Sequence, residues 1–239
     1  SIHPACKSYQ KGIGCGKVVQ EVVRNINKIE QHDIGFKADL SKYFDSVPIK
    51  FIDKEFNRIE ERFGKSKIIG VLRKYYHSDL CFDPDGKLIE HYQSLKQGCA
   101  VASYLADCVL FHIDKKLYTM CDGYYVRYSD DILYIRDNYL EGMNILKEEL
   151  NKMEMQLNPK KVEFLDKDHW FKFLGFMIKG DQITLSKSRV KDFQKEIESR
   201  TIKKRNTTKT KAVNSVNRYL YKGNGKYSWA TSVLPIINV

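Results

Sequence analysis

Three acidic residues stand where chemistry needs them. Asp39 closes a short β-prone run, residues 35–40, and Asp130 and Asp131 fall between two further β-prone runs, 124–128 and 132–135. An acid at a strand end is exposed yet held by the sheet. If those runs are neighbours, three carboxylates converge from segments 91 residues apart, an arrangement suited to two divalent ions about 3.5–4 Å apart. Such a pair activates a hydroxyl and stabilises a leaving pyrophosphate in line. Ligation by oxygen alone points to Mg²⁺, with Mn²⁺ able to substitute. The plainer alternative is that Asp130-Asp131 is ordinary turn chemistry and that Asp45 is an N-cap for the helix after Pro48.

Around these acids is a chain of 239 residues, 42% hydrophobic and 12% aromatic, enough apolar material for a sizeable core. No apolar run is long enough to span a membrane and nothing at the first residues resembles a signal peptide. The six cysteines, Cys6, Cys15, Cys81, Cys99, Cys108 and Cys121, form no C-x-x-C pair, so reduced thiols in a cytoplasmic protein are expected. The net charge of +11 suggests a polyanionic partner. Nearly all of it lies in residues 186–226, with 13 Lys or Arg against 3 acids.

The elements that must position the acids follow from periodicity. Val18, Val19, Val22, Val23, Ile26 and Ile29 predict an amphipathic helix over 17–31. Helices are expected over 49–62, 65–77, 99–117 (buried, rich in small residues) and 140–153. Hairpins are expected at 80–89, around Asp83-Pro84-Asp85-Gly86; at 124–135; and at 170–185, around Lys179-Gly180-Asp181. Two basic helices are expected over 188–200 and 209–221. Strands arranged as hairpins among helices favour an α+β fold with an antiparallel sheet packed on helices.

Five stretches in order, Asp39-Leu-Ser-Lys-Tyr-Phe-Asp45, Gln97-Gly98, Tyr128-Ser-Asp-Asp131, Leu157-Asn-Pro-Lys-Lys161 and Phe173-Leu-Gly-Phe176, resemble the palm motifs of reverse transcriptases. The resemblance runs from about Tyr9 to Leu185 and looks closest to bacterial retroelement enzymes: the group II intron, diversity-generating and defence-associated class. It implies a right-hand polymerase, with partial fingers in 1–34 and 64–99, palm in 35–63 and 100–185, and thumb in 186–239. One departure is Ala102-Ser103, where relatives often have Ser-Pro or Ser-Gln, and it weakens assignment to the diversity-generating or intron branch.

The resemblance also implies roles. Asp39, Asp130 and Asp131 would hold the metals, and Lys161 would be the general acid toward pyrophosphate, with its neighbour Lys160 as the alternative. Leu40, Lys42, Tyr43, Phe44, Gln97 and Gly98 would surround the incoming nucleotide. Phe44 would lie under the sugar and exclude a 2′-hydroxyl, although Tyr43 and Phe44 also read as core aromatics. Phe173, Leu174, Gly175 and Phe176 would grip the primer end. Lys187, Arg189, Lys191, Arg200, Lys203, Lys204, Arg205, Lys209 and Lys211 would contact nucleic-acid backbone in the thumb, with Tyr219, Tyr221, Tyr227 and Trp229 stacking or packing there.

The implied reaction is RNA-directed DNA synthesis: dNTPs extend a DNA or RNA primer on an RNA template, without a membrane. A maturase-like RNA-binding protein using this fold as scaffold is the alternative. A two-metal nuclease would share the acids but have no use for Phe44 or Gln97. An ATPase P-loop at Gly12-Ile-Gly-Cys-Gly16-Lys17 is excluded, because three rather than four residues separate Gly12 from Gly16 and Val18 follows the lysine. Reverse transcriptases usually carry a basic fingers segment before the region where this chain begins; its role could fall to Lys11, Lys17 or Arg24, or the chain is a fragment of a longer protein, which is the favoured expectation.

Overall fold

Hydrophobic periodicity translates directly into buried faces. The computed structural model describes residues 2–78, 80–83, 85–90, 92, 94–189, 191–192 and 195. Helix α1 (Cys15–Ile26) buries Val18, Val19, Val22, Val23 and Ile26. Strand β1 (Asp33–Asp39) follows, then a single helical turn, α2 (Tyr43–Ser46), and helices α3 (Ile49–Phe63) and α4 (Lys67–Tyr76). Ser66 caps α4 by accepting from the Ile68 N–H. Arg73 joins the two helices, donating to Asp53 at 3.1 Å and Glu60 at 2.9 Å.

The expected antiparallel hairpin is present, β2 (Leu80–Phe82) with β3 (Leu88–Glu90). The expected helix over 99–117 is instead two, α5 (Ala102–Val109) and α6 (Phe111–Met120), broken at Leu110. Next come β4 (Tyr124–Tyr128), β5 (Asp131–Ile135) and α7 (Tyr139–Lys152). Strand β6 (Glu163–Asp166) was not foreseen. The expected third hairpin is a three-stranded antiparallel meander, β7 (Phe171–Phe173), β8 (Phe176–Lys179) and β9 (Gln182–Leu185). Its extra break falls at Leu174 and Gly175, both at positive φ. The α+β class with an antiparallel sheet packed on helices is what the chain adopts.

The central sheet has the order β4-β5-β1-β6, which makes the strand ending at Asp39 the neighbour of the one beginning at Asp131. The chain divides into two units. The first comprises residues 1–9, 36–134 and 138–163; the second comprises 10–35, 135–137 and residues from 164 onward. The first unit's core joins Phe36 and Ala38 of β1, and Leu40 just after it, to Ile52 and Phe56 of α3, Leu105 and Ala106 of α5, and Leu146 and Leu150 of α7. The second unit buries Phe171, Phe173, Phe176 and Ile178 on its meander.

All six cysteines are free. No helix among the described residues is long and apolar enough to cross a membrane. The basic helices expected over 188–200 and 209–221 lie largely or wholly outside the described residues, as do Arg200, Lys203, Lys204, Arg205, Lys209, Lys211, Tyr219, Tyr221, Tyr227 and Trp229.

Candidate active site

The two strand ends are joined through backbone. Leu40 donates its N–H to Asp130 O at 3.2 Å, so the residue after Asp39 is fixed against the β4–β5 turn. The turn is tight, with Ser129 in the left-handed region at φ 58°, a conformation that costs a non-glycine residue of order 1 kcal/mol or more and clusters at functional sites. Leu40 itself is core, at 1% exposure. On the other side of β1, Asn158 donates its N–H to Asp39 O at 2.8 Å and Ser41 donates to Gln156 O at 2.9 Å. The Asn158 side chain then caps the short 3-10 turn Pro159–Lys161. That sequence of bonds delivers Lys161 Nζ to Asp39 Oδ2 at 2.7 Å. Lys160 is exposed, and its N–H is the one that Asn158 Oδ1 accepts.

The three carboxylates share one electrostatic environment. Asp131 is pushed up to about 6, first by burial and then by the negative charges of Asp130 and Asp39, against the pull of Lys161 and Lys37. Asp130 is raised as well, chiefly by burial, with Asp39 adding to it. Lys161 is raised by its hydrogen bond to Asp39 and by the charges of Asp39, Asp130 and Asp131. Divalent cations fit this donor set: the ligands are oxygen only, like charges crowd one place, and an ammonium already sits on one carboxylate in a cation's stead.

A buried ion network supports the turn, and sequence reasoning missed it. Arg127, fully buried in β4, forks onto Asp114 through Nε at 2.9 Å and Nη2 at 2.7 Å. Its Nη1 donates to Ser129 O at 3.0 Å, the carbonyl just before Asp130. Tyr125 also donates to Asp114, and Ser8 donates to Asp107 at 2.6 Å. A charge in the middle of an apolar strand was the available signal, since such a residue is rarely buried unless paired.

The expected nucleotide-contacting residues divide by exposure. Tyr43 is core, 3% exposed, with its hydroxyl donating to Ala106 O. Phe44 is half-buried and meets Tyr43 edge-on, ring centroids 5.8 Å apart. Lys42 is exposed at φ 45°. Gln97 and Gly98 form an exposed turn, and Gly98 at φ 87° takes a conformation that favours glycine. Lys96, just ahead, is 1% exposed and donates to Tyr75 O and Ser78 O at the end of α4, which anchors the turn. Asp45 is no N-cap: Pro48 holds that position, and Asp45 accepts from the Tyr92 hydroxyl.

In the second unit, Phe173 and Phe176 are opposite each other and buried, while the Leu174-Gly175 turn between them is half-buried. Lys187 and Lys191 are exposed and Arg189 is partly so. The second unit also holds His32, Asp166 and Asp168, with one donor atom each within 4.8 Å of the others. His32 Nδ1 lies 2.6 Å from Asp168 Oδ2 and His169 Nδ1 lies 3.1 Å from Asp166 Oδ2, so surface hydrogen bonds already satisfy these groups.

The fold is similar to that of solved telomerase structures. The telomerase of Candida tropicalis, solved without bound ligand, superposes with a TM-score of 0.59 at 13% identity over 82% of this chain and 41% of that one. A form truncated of its C-terminal domain gives 0.56 at 15% identity over 76% and 41%. Telomerase from Candida albicans, in complex with the TWJ fragment of telomeric RNA, gives 0.54 at 12% identity over 80% and 38%. These likenesses are of fold, and the chain spans about two fifths of the length of those proteins. No curated protein sequence matches. The model of the reverse transcriptase (RNA-dependent DNA polymerase) family matches residues 2–178, and the chain therefore belongs to that family.

Proposed function

We propose that this chain is the catalytic core of an RNA-directed DNA polymerase that extends a DNA or RNA primer with dNTPs on an RNA template. The observation that carries this is the electrostatic coupling of Asp39, Asp130 and Asp131 at adjoining strand ends, with Lys161 on Asp39. Asp39, Asp130 and Asp131 would hold two Mg²⁺ ions, or Mn²⁺ in their place. When bound, these ions would activate the primer 3′-hydroxyl and stabilise the departing pyrophosphate.

The chain's own groups do the rest. Lys161, released from Asp39, has an ammonium proton to give the pyrophosphate oxygen. Phe44 would lie under the sugar and exclude a 2′-hydroxyl, and Gln97-Gly98 would let backbone approach the nucleotide. The Leu174-Gly175 turn would bear on the primer end, and the basic residues from Lys187 onward would hold backbone phosphates. In this reading fingers are 1–34 and 64–99, palm 35–63 and 100–185, and thumb 186–239. An RNA template is supported by the family. The bacterial retroelement branch rests on the five ordered motifs.

Primer extension on an RNA template with Mg²⁺ tests this. Deoxynucleotide incorporation by the parent chain and its loss in Asp130→Asn are expected. Incorporation that survives Asp130→Asn would overturn the assignment.

A further inference from the structure

The turn carrying Phe44 has little to hold it in place by itself. Helix α2 has four residues, follows the left-handed Lys42, and has no side-chain N-cap. Within the turn, Asp45 and Ser46 donate their N–H groups back to Lys42 O. Its carbonyls reach no continuing helix, because Val47 is extended and Pro48 follows. A helix this short is marginal without outside bonds.

Those bonds come from a segment about fifty residues away. Ser94, 4% exposed, shares its hydroxyl proton between Phe44 O at 2.6 Å and Val47 O at 2.8 Å. The Tyr92 hydroxyl lies 2.7 Å from Asp45 Oδ1 and 2.9 Å from Leu95 O. The strap is itself fixed, since Leu95 is fully buried and Lys96 is anchored on the carbonyls ending α4. Behind the ring, Tyr43 is locked to Ala106 O. Phe44 is thus gripped through its backbone on one side and braced by an aromatic edge on the other. The same strap runs directly into Gln97-Gly98.

We infer that Tyr92 and Ser94 are positioning residues for nucleotide sugar selectivity: they hold the Phe44 turn at the height where its ring excludes a 2′-hydroxyl. The inference rests on the proposed polymerase reading and adds to it a second layer of residues that never touch the nucleotide. Steric exclusion depends on position to a fraction of an ångström, so a loosened turn admits the larger sugar even with the ring intact. Loss of a merely structural hydrogen bond would lower incorporation of both nucleotide types together and leave their ratio alone.

The test is single-nucleotide incorporation on an RNA template, comparing a ribonucleotide with its deoxy counterpart by kcat/KM. The chains are the parent, Phe44→Ala, Ser94→Ala and Tyr92→Phe, with melting temperatures alongside. Tyr92→Phe removes one hydroxyl from a part-exposed ring and covers the case in which Ser94→Ala does not fold. Phe44→Ala is expected to raise the ribonucleotide share by about 100-fold, and each strap variant by about 10-fold, mainly through a lower ribonucleotide KM. A raised ratio in Phe44→Ala with the parent ratio in every folded strap variant overturns the inference and leaves the polymerase reading standing. An unchanged ratio in Phe44→Ala, or a parent that incorporates neither nucleotide, overturns the reading of Phe44 and the inference with it.

Discussion

At Asp131, burial and two neighbouring carboxylates raise the group from 3.8 to about 6. The native chain therefore keeps a proton that the unfolded chain loses, and the stability linked to it is present below about pH 4 and lost as pH rises through about 6. The metal-free melting temperature should carry that decline, and Asp131→Asn should flatten it. Divalent affinity should run the opposite way, weakening as pH falls below about 6 because protons compete for the carboxylate. Mn²⁺ titrations at pH 5 and 7.5 that give equal affinities would contradict this. Arg127 is the other decisive residue. Removing it leaves Asp114 buried without its cation, so Arg127→Ala should cost about 3–5 kcal/mol in chemical denaturation. The acids were legible in the sequence because a carboxylate at the end of an apolar run stands out. Arg127 was not, because a basic residue in a strand reads as its solvent face. The Ser94 contacts were invisible as well, since nothing local in the sequence announces a partner 50 positions away.

Among the elements, α7 shows packing overriding propensity. Gly142 sits inside that helix, where alanine would ordinarily gain about 1 kcal/mol. A Cβ there would stand 2.9–3.2 Å from three ring atoms of Tyr134. That ring cannot yield easily: it is fully buried, stacked on Phe36 at 5.3 Å, and bonded to Asn138. Gly142→Ala should therefore destabilise by about 1–2 kcal/mol, the overpacking cost exceeding the helix gain. A raised melting temperature would refute the argument. The long elements were readable because their apolar spacing is regular. The break at Leu110 was not, because Val109, Leu110 and Phe111 continue the apolar pattern across it. Strand β6 escaped notice because its four residues, Glu163-Phe-Leu-Asp166, begin and end on charges. The split of the meander at Gly175 did have a signal, a glycine inside an apolar run, outweighed by the four apolar neighbours.

Over the whole molecule, charge is divided by role: the acids sit at the strand ends and the basic excess lies in residues 186–226. Nucleic-acid binding should weaken steeply with salt. Replacing Lys203, Lys204 and Arg205 together by alanine should reduce the slope of log affinity against log salt by about 2–3, if each of the three releases a counterion. A slope identical to the parent's would show that these residues touch no phosphate. The Asp39–Lys161 contact has a consequence for handling and storage. On the proposed reading, loading the three carboxylates with divalents would be an exchange, in which a tethered positive charge gives way to free ones. Chelator treatment should then return the chain to an internally compensated resting form, not to a bare knot of repelling anions. EDTA should lower the melting temperature of Lys161→Ala more than that of the parent, in which the lysine would serve as a built-in counterion for a protein waiting between metals.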